Sequence, residues 1–71
     1  MSTREVIAFA EALRAKLRED MNNYADDVAT GTCQSFEAYQ RLCGKIEGLA
    51  IAERHLLDLI QVQQVDEDAD D

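Results

Sequence analysis

Apolar residues recur through the first half of the chain at alternating steps of three and four. Val6, Ala10, Leu13, Leu17, Met21, Tyr24 and Val28 form one stripe, the pattern of a helix with one face turned to a core. Phe9 widens the stripe near its start. Ser2 and Glu5 fit the S-x-x-E capping box, with Thr3 as the competing cap one residue later. The spacing predicts a helix over about residues 4–29.

Thr30-Gly31-Thr32-Cys33-Gln34 interrupts the pattern. Gly31 suits the positive φ that closes a helix, and Ser35 or Thr32 suits the cap of the next. A second helix is predicted over about 35–61. Its stripe is Phe36, Tyr39, Cys43, Ile46, Ala50, Leu57 and Ile60, with Leu42, Leu49 and Leu56 widening one flank. A break this short turns the helices back on each other as an antiparallel hairpin. Folded about Thr32, the stripes meet in order. Val28 faces Phe36, Tyr24 faces Tyr39, Met21 faces Cys43, Leu17 faces Ile46, Leu13 faces Ala50 and Val6 faces Leu57. The weak rung is Ala10 against Glu53. The expected fold is therefore an all-α two-helix hairpin over residues 1–62.

Charge divides the chain further. The net charge is −8, yet Asp66, Glu67, Asp68, Asp70 and Asp71 crowd the end. Without those five, ten acids face seven bases, so the body is close to an ordinary mixed surface. Residues 63–71 are expected to be a disordered acidic tail, because clustered acids repel one another and bury nothing. A chain of this sign is repelled by nucleic-acid phosphates and by anionic lipid, so neither is expected as a direct partner. No apolar run reaches the length of a membrane span, and the N-terminus lacks a signal peptide's apolar core. Proline is absent and glycine occurs three times, which favours long uninterrupted helices.

Reactive groups do not converge in this pattern. Cys33 and Cys43 read as reduced structural cysteines, and with His55 they lack metal-ligand spacing. His55 projects away from the hairpin seam with no nucleophile one turn away. Glu47 and Glu53 do not converge as a carboxylate pair, and no glycine-rich phosphate loop is present. Arg14, Lys16 and Arg18 are interspersed with Glu11, Glu19 and Asp20, and read as a solvated face. No enzymatic activity and no cofactor is expected.

One anomaly remains. Gly44 and Gly48 lie inside the second helix, each costing about 1 kcal/mol relative to alanine. With Ala52 they form a smooth strip well away from the seam, joined by Ile51 and Leu59. This strip is the candidate interface. A two-helix hairpin has a thin core, and small domains without disulfides or metals are supplemented by association. An antiparallel homodimer making a four-helix bundle is the simplest supplement.

The segment from Ala29 to Glu53 carries a glycine turn, the aromatic-x-x-Tyr step Phe36 to Tyr39, and Gly44-x-Ile46-x-Gly48-Leu49-x-x-Ala52. In this it resembles small proteins encoded by tailed bacteriophages. The resemblance implies a phage origin and a component of the head, portal or tail assembly, located in the host cytoplasm or the virion. It implies no catalytic residues. The expected function is a structural or assembly module that oligomerises or docks on a larger virion protein. The alternative is an acidic phage protein that binds and inhibits a host enzyme or nucleic-acid-binding protein.

Overall fold

Ser2 starts the first helix by accepting the Glu5 N–H on its Oγ at 3.1 Å, which satisfies one of the donors that a helix N-terminus leaves free. The computed structural model describes the backbone of residues 2–69 and the side chains of residues 2–62. α1 spans Thr3–Ala29 and α2 spans Phe36–Ala69, and no strand occurs among the described residues. α2 thus extends past the end near Gln61 that the apolar spacing predicts. The expected disorder of residues 63–71 lies outside the fully described residues.

The turn is closed by local chemistry. Gly31 adopts φ 74°, its N–H donates to Val28 O at 3.3 Å, and the Thr32 N–H donates to Asp27 O at 3.2 Å. This is the Schellman closure of a helix, in which the left-handed residue is best filled by glycine. The hydroxyls of Thr30 and Thr32 add bonds to the Asp26 and Asp27 carbonyls at 2.8 and 2.7 Å. Ser35, rather than Thr32, caps α2 by accepting the Ala38 N–H at 3.0 Å.

The helices meet along a seam with a strict three-four alternation. On α1 it runs through Ile7, Ala10, Arg14, Leu17, Met21, Tyr24 and Val28; on α2 it runs through Leu42, Ile46, Leu49, Glu53, Leu56 and Ile60. Most of these are buried or half-buried, as knobs between facing helices require. The result corrects part of the expected core. Leu13 is 41% exposed, Tyr39 42% and Phe36 70%, and Ala50 is also exposed. Val6, Cys43 and Leu57 are half-buried beside the seam. The physical reason is bulk and register. Leu42, Leu49 and Leu56 bury more apolar surface in the seam than the adjacent stripe through Cys43, Ala50 and Leu57 could.

Glu53 shows why this register holds. It is only 7% exposed, so its carboxylate needs partners to avoid the penalty of an unpaired buried charge. Arg18 supplies a two-pronged contact, Nε to Oε2 at 2.5 Å and Nη2 to Oε1 at 2.9 Å, and Arg14 Nε approaches Oε2 at 3.4 Å. Arg14 and Arg18 are therefore cross-helix ligands of a seam carboxylate, not the purely solvated face expected of them. The small Ala10 side chain leaves room at this level, and the rung that looked weak is a polar layer.

The hairpin has little interior. Among the described residues only Ala10 and Met21 are buried apolar side chains, and none is withdrawn completely from solvent. The chain exposes 5527 Å², against roughly 4,450 Å² for a compact protein of its mass. Its rod-like shape, 55 × 16 × 15 Å, accounts for the difference: two helices have one shared seam, and their other sides face water.

Candidate assembly surface

Gly44, Gly48 and Ala52 recur every four residues on α2, each step carrying the small residue about 40° further around the helix. The structure places all three on the exposed surface, together with Ile51 and Leu59, which are 53% and 64% exposed. A Cβ built at Gly44 or Gly48 would meet nothing within 4 Å. Nothing inside the chain therefore requires glycine at either position. Their helical cost of about 1 kcal/mol each is uncompensated within the hairpin.

The five candidate interface residues do not form one strip. With Leu42, Ile46, Leu49, Glu53, Leu56 and Ile60 defining the seam, Gly44 and Ile51 lie diametrically across the helix from it. Gly48, Ala52 and Leu59 lie on one flank. The apolar pattern also hides two residues of α1. Phe9, expected to widen the buried stripe, is 66% exposed, and Leu13 is exposed four residues later. Their spacing is legible as an i, i+4 apolar pair. What it does not reveal is that the seam runs through Ala10 and Arg14 instead.

Near the turn, aromatic and sulfur groups cluster. Phe36 stacks on Tyr39 with ring centroids 6.2 Å apart, and the Lys45 ammonium sits 5.2 Å from the Tyr24 ring centroid, a cation–π contact. Cys33 and Cys43 are free thiols. The Cys43 side chain, through hydrogen bonding and charge, pushes Tyr39 above the ordinary tyrosine value, with smaller contributions from burial and from Cys33. An acid whose folded value is raised holds its proton in the native state while the unfolded chain releases it. The hairpin should therefore lose stability as pH rises through the tyrosine range. In a Tyr24→Phe chain, tyrosinate absorbance should titrate late in buffer and at the ordinary tyrosine value in denaturant. Coincident titrations would contradict the contact with Cys43.

His55 and Glu47 are exposed, and no group of three or more potential metal ligands occurs among the described residues. No helix is long and apolar enough to cross a membrane, among the residues described. Comparison with protein-family models, curated proteins and solved structures finds no match to this chain.

Proposed function

We propose that the chain is a non-enzymatic assembly module, a helical hairpin that completes its core by packing against other helices. The observation that carries this reading is the imbalance of apolar surface. No described side chain is fully buried, while Phe9, Ile51 and Leu59 each leave more than half their surface in water. Large side chains left in water forgo roughly 1.5–3 kcal/mol of burial each, and a hairpin this thin has little else to offset chain entropy. The helical glycine at 48 points the same way, since it lowers helix stability where only an external neighbour could exploit the space. The resemblance of residues 29–53 to small phage proteins adds the setting: a component of a tailed-phage particle, held on itself or on a larger structural protein.

Mass spectrometry of purified particles of the encoding phage tests the setting. The chain should appear in stoichiometric amount with the head, portal or tail proteins. Its consistent absence from particles would remove the virion from this reading.

A further inference from the structure

Resting on the reading of the hairpin as an assembly module, one side of it can be assigned an occupant. Two antiparallel helices are related by a two-fold axis perpendicular to both, so residues displaced in the same rotational sense from the seam share one side. On α1, Val6, Phe9 and Leu13 each precede a seam residue by one. On α2, Gly48, Ala52, His55 and Leu59 each precede a seam residue by one. These two rows therefore border the same side of the hairpin, from the height of Leu13 to its open end. The glycine–alanine strip and the exposed Phe9 and Leu13 are one surface.

That surface differs in kind from its opposite. From the height of Leu13 to the open end it carries no Asp, Glu, Lys or Arg in a chain that is 31% charged, and Lys16 borders it at the height of Gly48. The opposite side, at the same heights, holds Arg4, Glu11 and Arg54. Loss of charge and gain of aromatic and aliphatic side chains mark the centre of a protein interface. With half-exposed large side chains offering on the order of 100 Å² each, the face totals roughly 600 Å². A standard interface takes about 800 Å² from each partner.

We propose that a second copy of this chain occupies the face, giving an antiparallel four-helix bundle. The face is self-complementary, as a two-fold interface must be. Leu13 protrudes from α1 at the height of Ala50, level with the flat step between Gly48 and Ala52 on α2. A two-fold axis running along the bundle preserves height and exchanges the helices. Leu13 of each copy then seats between the small residues 48 and 52 of the other copy, and Phe9 covers the step from 52 to 55. The glycine at 48 is used twice, once in each half of the interface, and the close approach offsets its helical cost. Gly44 and Ile51 lie outside this contact.

Charge pairing across the interface tests the inference with the full-length chain. Leu13→Lys and Ala52→Glu are made separately, with Ala50→Glu on the opposite side as control, and size exclusion with light scattering reads association. Circular dichroism verifies that helix content persists, since all three positions are exposed. Each of the first two variants should weaken self-association by about 100-fold or more, equivalent to two steps of tenfold. Mixed together, they should recover a heterodimer, because the ammonium introduced in one chain then meets the carboxylate introduced in the other. The control should associate like the parent chain. If the parent associates but the paired variants do so equally, or the control alone dissociates, another face holds the second copy and this inference falls. If the parent is a folded monomer at every concentration, the assembly reading itself falls. A parent chain that is monomeric and poorly helical until a different protein is added would replace the second copy with that protein.

Discussion

Arg18→Met should lower the stability of the hairpin by about 1–2 kcal/mol, with an unfolding midpoint roughly 5–10 °C lower for a chain of this size. The substitution keeps most of the apolar stem and removes the guanidinium that grips both oxygens of Glu53. Breaking a fully buried pair costs about 3–5 kcal/mol, because a charge is left without a partner. Here the Arg18 side chain is 55% exposed and Arg14 still approaches the carboxylate, so solvent and the second arginine reduce the loss. Glu53→Leu should then act in the opposite direction. It replaces a seam carboxylate by an apolar side chain of similar volume, and the freed arginines are already half in water. In the Arg18→Met background it should return stability to the parent level or above. Chemical denaturation of the four chains gives the coupling directly. A neutral Arg18→Met would mean that the polar layer does not hold the seam.

The two helical glycines should respond oppositely to bulk. Gly44→Ala should stabilise the helix by about 1 kcal/mol, since the new methyl meets nothing and restores a good helix former. It should leave association unchanged, because Gly44 faces away from the proposed contact. Gly48→Leu should also preserve helix content, yet weaken self-association by an order of magnitude or more, because the new side chain fills the step that the second copy's leucine at 13 occupies. Sedimentation equilibrium on the two variants separates the effects. Equal weakening by both would mean that the whole strip is buried in the assembly, and no effect from Gly48→Leu would mean that the strip is merely surface.

The capping of both helices and the turn between them were legible because their causes are local. Ser2 with Glu5, Gly31, and Ser35 ahead of Phe36 each act within a few residues of chain. The seam was legible only to within one residue. Adjacent apolar pairs at Leu42-Cys43, Leu49-Ala50 and Leu56-Leu57 allow two stripes, and periodicity alone does not choose between them. What chooses is the greater bulk of Leu42, Leu49 and Leu56 together with the layer formed by Arg14, Arg18 and Glu53, which joins residues 35 or more positions apart. A pattern of apolar spacing has no way to register such a contact, and it treats Glu53 as a defect. The same one-residue turn of the helices explains the candidate surface. Gly48, Ala52 and Leu59 stay on a usable flank, Gly44 and Ile51 rotate away from it, and Phe9 and Leu13 come out of the core to join it.

The central proposal is that this hairpin completes its core by associating with itself. Thermal unfolding followed by circular dichroism over about a hundredfold range of chain concentration tests it most directly, since association with the folded state makes the midpoint depend on concentration. The midpoint should climb steadily with concentration, with light scattering reporting a dimer where the chain is most stable. A midpoint that is the same at every concentration, from a chain with the mass of a folded monomer, would contradict it.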